Sequence, residues 1–172
     1  MLAALRDHPF LSELPAASLR RLAAHAYRVD FAAGDTIFRE GTPADRFFVI
    51  RRGVVRLAME LPGRGVVEAQ TLGPDTALGW SWLVSPYQWH VTAVAIERTS
   101  TVVIDAAVLR SLMAADAVMG YEIMRRFAAV MFDRLQAERV RLTTSGSGPV
   151  TLPEAAVTGP WAGLRAMVSA VR

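Results

Sequence analysis

The chain has 172 residues, 52% of them apolar, and a formal net charge of +3. That is one domain of ordinary size with a core to bury and little excess charge. Cysteine is absent and all 19 basic residues are arginine, which excludes thiolate metal sites, iron–sulfur clusters, disulfides, thiol nucleophiles and lysine chemistry.

The N-terminus carries Arg6, Asp7 and His8 where a signal peptide needs an apolar stretch. No run approaches the roughly 20 apolar residues of a membrane span. A cytoplasmic protein without membrane contact is expected. Residues 1 to about 26 read as helical: Pro15 can open a helix, and Leu19, Leu22, Ala23 and Ala26 keep helical spacing. Residues 27–104 read as short strands at Tyr27–Phe31, Thr36–Phe38, Phe47–Arg51, Val54–Glu60, Val66–Leu72, Trp89–Ile96 and Thr101–Ile104, rich in Val, Ile, Phe and Thr. Arg52-Gly53 and Pro62-Gly63 read as hairpin turns between them. Many short strands punctuated by glycine predict a sandwich, barrel or jelly roll.

Residues 105–142 return to helix. Asp105 caps a short helix ending near Met113, and Asp116 caps a long one reaching about Leu142. Along the long helix Ala117, Tyr121, Met124, Ala128, Met131, Leu135 and Leu142 recur at alternating steps of four and three, interrupted only at Glu138. This is a heptad seam. It either packs on the chain's own barrel or mates with a second copy as a parallel dimer helix. The length favours the homodimer, because one small barrel cannot cover so long a helix. The arginines beside the seam, Arg125, Arg126, Arg134, Arg139 and Arg141, alternate with Glu122, Asp133 and Glu138, as on a solvated flank. Residues 143–172 open with Thr143-Thr144-Ser145-Gly146-Ser147-Gly148-Pro149, a linker composition. They are expected to form a flexible tail able to dock a protein partner.

The strongest signal is a run of motifs. Gly34-Asp35-Thr36-Ile37-Phe38-Arg39-Glu40-Gly41 is followed by Ala44-Asp45-Arg46-Phe47-Phe48-Val49-Ile50 and by Arg52-Gly53-Val54-Val55-Arg56-Leu57. Then come Leu72-Gly73-Pro74, Ala77-Leu78-Gly79-Trp80 and Thr92-Ala93-Val94-Ala95. This pattern resembles the cyclic-nucleotide-binding domain of the CRP/FNR superfamily, over about residues 8 to 142. The resemblance implies a mainly β fold with flanking helices: a jelly-roll-like β-roll (a double-stranded β-helix), N-terminal helices and a long C-terminal dimer helix. It also implies a phosphate-binding cassette between two strands. There, a short helix offers backbone N–H groups, a glutamate after the glycine accepts from the ribose, and an arginine pairs with the cyclic phosphate.

Within the cassette the candidate ligand-binding residues are Leu78, Gly79, Trp80, Ser81, Trp82, Leu83, Gln88, Trp89, His90 and Thr92. Gly79 matches the family pattern. Trp80 stands at the glutamate position, and the arginine position falls on Gln88 or Trp89. A charge-assisted contact is worth about 1.5–3 kcal/mol, so losing the arginine weakens phosphate binding by ten-fold or more. Aromatic faces could instead stack on a base, or fill the roll. A stand-alone subset of the superfamily, without a DNA-binding domain, resembles this tryptophan-rich cassette. With no recognition helix evident after the long helix, direct DNA binding is not expected.

Enzymatic readings are weak. Gly79-Trp80-Ser81-Trp82-Leu83 lacks the last glycine of a nucleophile elbow. His8, His25 and His90 are not at metal-ligand spacing, and a lone His90 is poor evidence for haem. The expectation is a non-enzymatic sensor that signals through the dimer helix, with cAMP, cGMP or another small anion as ligand. The alternative is a degenerate roll that binds nothing and serves as a dimeric scaffold or docking module.

Overall fold

A computed structural model describes residues 1–144; of the expected tail, 143–172, the part from Ser145 onward lies outside the described residues, as do the side chains of Glu138 and of residues 141–144. The described chain runs α1 (Leu2–Arg6), α2 (Ala16–His25), β1 (Ala26–Phe31), β2 (Thr36–Phe38), β3 (Arg46–Arg52), β4 (Val55–Leu61), β5 (Gly65–Leu72) and β6 (Ala77–Leu78). A 3₁₀ turn (Ser81–Leu83), β7 (Thr92–Ala95), β8 (Thr99–Asp105), α3 (Ala106–Ala115) and α4 (Ala117–Thr144) complete it. Two antiparallel four-stranded sheets form, in the orders β1-β8-β3-β6 and β2-β7-β4-β5. This is the expected β-roll with flanking helices. The chain divides into two units after Val130, the first being residues 1–130. The roll and the cassette belong to the first.

The strand ends fall within two residues of the sequence reading except at the start of β7, the short β6 is not in that reading, and three differences matter. Ala26 opens β1 opposite Ile104 and does not continue α2. Residues 89–91 lie outside β7, because Trp89 pairs its backbone with the Gly41–Thr42 turn. Arg52-Gly53 is not a hairpin: β3 and β4 lie in different sheets, and the chain crosses between them there. Gly53 has φ +90°, and a Cβ on it would sit 2.6 Å from the Cα of Thr99, so only glycine lets the two backbones pass. Pro62-Gly63 does turn a hairpin, between Leu61 and Gly65.

Both helix caps form as read. Asp105 Oδ1 accepts from Val108 N at 2.9 Å, and Asp116 Oδ1 accepts from Met119 N at 3.0 Å. Asp116 also receives Arg21 Nη1 at 3.2 Å, which ties α2 to the start of α4. Further along, Arg126 is buried between Glu122 (2.6 Å) and Glu13 (3.3 Å), and Arg125 pairs with Glu122 at 3.0 Å. The guanidinium groups of Arg125 and Arg126 hold the Glu122 carboxyl below the usual carboxylate range.

His8 is fully buried near Ile50 and Arg51 of β3. Its Nδ1 accepts from Phe10 N at 3.2 Å, and its Nε2 has no hydrogen-bond partner. Burial lowers its pKa below the ordinary histidine value. The unfolded chain therefore takes up a proton that the folded chain resists. Stability is expected to be complete above about pH 6.5 and to fall as the pH drops below it. Thermal melts between neutral and acid pH read this directly, and His8→Leu flattens the decline; a variant that keeps the full wild-type slope assigns the effect to other groups.

Candidate functional site

The cassette starts where β6 ends. Leu78 pairs with Phe48, and Gly79 then takes φ +77°, turning the chain into the 3₁₀ turn. Leu83 N donates back to Trp80 O at 2.9 Å. The return segment is stitched to the 41–44 turn by Ala44 N to Tyr87 O (2.7 Å), Trp89 N to Thr42 O (2.9 Å) and Gly41 N to Trp89 O (2.8 Å). A bridge between Pro43 and Gln88 lies among these bonds. The backbone of Trp89 is thus held on both its N–H and its carbonyl.

That anchoring drives the Trp89 indole into the roll. The ring stacks on Phe38, centroids 3.8 Å apart and planes 12° apart, and it is 2% exposed. The edge of its six-membered ring abuts Gly79: a Cβ there would collide with Cζ3 and lie 3.0 Å from Cη2. Gly79 has a second reason to be glycine beyond its φ, since any side chain would displace the indole. The site that the cassette and Phe38 frame is occupied by this chain's own aromatic ring.

Trp82 faces a different neighbourhood. It is fully buried, with Phe47 at 5.3 Å and Phe127 of α4 at 5.6 Å, and Phe10 stands 4.7 Å from Phe127. This cluster joins the cassette, β3, the N-terminal segment and α4. Arg110 of α3 adds a clamp: its Nη1 donates to the Trp82 carbonyl at 2.8 Å, and its guanidinium lies 4.4 Å above the Tyr87 ring. Ser81, nearly buried, meets exposed His90 through Oγ and Nδ1 at 3.1 Å.

The ten candidate residues therefore separate. Leu78, Gly79 and Trp89 converge on the interior, Trp82 turns to the helices, and Gln88 and His90 are exposed. Trp80 and Leu83 are half-buried against the core. Thr92 alone of the ten reaches the neighbouring cleft of about 830 Å³, which Arg39, Glu40, Arg56, Glu60 and Pro62 also line. No arginine occurs from Gly79 through Thr92, so no choice of register supplies the family's phosphate-pairing arginine from that segment. The sequence reading did not single out Phe38, Phe127 or Arg110. Phe38 was visible only as one more strand phenylalanine; Phe127 falls on a helical stripe with Met119 and Ile123 that the seam spacing overshadowed, and no local pattern marks Arg110.

Within the first unit the seam residues of α4 do not pack on the roll. In the first unit Met119, Ile123 and Phe127 are buried, whereas Tyr121 is 66% exposed, Met124 is 48% exposed and Ala117 and Ala128 are exposed. In the second unit Met131 and Leu135 are exposed as well. Among the described residues no cluster of His, Asp and Glu could hold a metal ion, and no helix is long and apolar enough to cross a membrane.

A β-roll with a glycine-led cassette between β6 and β7 defines a cyclic-nucleotide-binding-type domain. Residues 28–116 match the cyclic nucleotide-binding domain family, and the chain belongs to it. It is 29% identical over 100 residues to the CRP-like cAMP-activated global transcriptional regulator of Mycobacterium tuberculosis, over 58% of this chain and 45% of the relative. The chain thus spans about half the length of the curated relatives it matches. A cyclic nucleotide-binding domain from Methylobacillus flagellatus superposes with TM-score 0.74 at 17% identity, covering 87% of this chain and 84% of the other. The catabolite activator protein of Thermus thermophilus superposes with TM-score 0.63 at 20% identity, over 79% and 62%. These two likenesses concern the fold.

Proposed function

We propose that this domain is a non-enzymatic regulatory module whose roll is filled by its own Trp89, and whose output is a homodimer formed along α4. The observation that carries this reading is the indole stacked on Phe38 and pressed against Gly79. A cyclic nucleotide seated beside Gly79 has to expel a ring that is 2% exposed, and finds no arginine in the cassette for its phosphate. The regulatory role accords with the family and with the mycobacterial relative named a cAMP-activated regulator. The contact of Trp82 with Phe127 packs the cassette against the part of α4 that belongs to the first unit, so that this part is held without waiting for a ligand.

Isothermal titration of the chain with cAMP and with cGMP is the test. The expected result is no saturable heat in the micromolar range for either. Saturable micromolar binding would overturn the self-filled reading and restore the ligand sensor, with Trp89 displaced on binding.

A further inference from the structure

Arg51 and Arg52 are consecutive on β3, and in a regular strand they point to opposite faces. The register of β3 against β8 slips between Ile50 and Arg52, and such a bulge re-aims side chains. Both arginines consequently line one cleft of about 310 Å³, together with Arg28 of the edge strand β1 and with Ala4, Ser100 and Thr101. The cleft shares no residue with the cassette.

Its charges are unequally compensated. Arg28 Nε donates to Asp30 Oδ1 at 3.1 Å and to Ser100 Oγ at 2.9 Å. The Ser100 hydroxyl and Arg28 hold the Asp30 carboxyl below its usual range. Arg51 Nη1 donates to the Ala4 carbonyl at 2.7 Å, which fixes the guanidinium but leaves its charge unmatched. Among the described residues neither Arg51 nor Arg52 has a carboxylate within ion-pair distance. A guanidinium carries five N–H donors, so Arg51 and Arg52 retain donors after these bonds are made. Arg51 and Arg52 line the same cleft with no carboxylate paired to either, and a tetrahedral oxyanion there neutralises their charge while accepting forked hydrogen bonds.

We propose that this cleft is an anion site for a phosphate-class oxyanion, taken either as the free ion or as the head of a small phosphate monoester. The volume suits such a ligand, and Arg51, Arg52 and Arg28 are the residues that hold it. The site goes beyond the reading of the roll interior and does not depend on it.

The test is calorimetric titration of the full chain with inorganic phosphate and, separately, with glycerol phosphate, at an ionic strength held constant with chloride. Saturable binding of either supports the proposal, and the tighter of the two identifies the source. Arg52→Gln changes an exposed side chain and is expected to weaken that binding by about ten-fold or more. Trp89→Ala is expected to leave it unchanged, because the interior is a separate place. Absence of saturable heat for both probes overturns the proposal, and so does binding that Arg52→Gln leaves intact.

Discussion

Trp89→Ala is expected to destabilise the roll by about 3–5 kcal/mol, the range for deleting a large buried aromatic. The loss combines the transfer energy of the indole with the cavity left between Phe38 and Gly79, which two anchored backbone groups prevent from collapsing. Denaturant unfolding measures it, with Trp89→Leu as the milder companion should the alanine variant fail to fold. A dry apolar cavity of this kind accepts small aromatic molecules. Free indole is accordingly expected to raise the melting temperature of the alanine variant and to leave the wild type unchanged. If Trp89→Ala costs under about 1 kcal/mol, the ring does not fill the roll in solution. The question of a cyclic nucleotide in the interior would then reopen.

The second large effect concerns assembly. Met124→Glu combined with Met131→Glu is expected to convert the proposed α4 dimer to monomers. Both side chains are exposed in the isolated chain, so the charges cost little there. Each carboxylate buried in a parallel seam costs at least about 1 kcal/mol, and a symmetric dimer buries the pair twice. The dissociation constant is therefore expected to rise by about a thousand-fold. Sedimentation velocity across a concentration series reads the outcome, and circular dichroism confirms that the roll is retained. A double variant that sediments as a dimer refutes the seam as the interface.

Local signals were legible wherever the physics is local. Asp105 and Asp116 announce their helices because a cap needs only a side-chain oxygen and a nearby N–H, and both bonds form. Pro62-Gly63 turns a hairpin because its two strands are neighbours in sequence and in space. Arg52-Gly53 carries the same local signal and does something else. Its flanking strands belong to different sheets, and the reason for the glycine is the distant backbone of Thr99. Heptad spacing on α4 likewise located the apolar stripe. Whether that stripe packs on the roll depends on which face the long-range contacts of Phe127 with Phe10, Phe47 and Trp82 turn inward.

By itself, then, the sequence determined a many-stranded β architecture between helices, the two helix caps and the absence of a cassette arginine, since each follows from residue type and spacing, while the run of motifs supplied the β-roll class by resemblance. Only the tertiary structure decided what the tryptophans do. Trp80, Trp82 and Trp89 look alike in the chain, yet one is half-buried at the rim, one is packed on α4 and one plugs the interior. Side-chain destination in an irregular segment has no period to read. It is set by the backbone bonds between Trp89 and the Gly41–Thr42 turn and by the space that Gly79 leaves open.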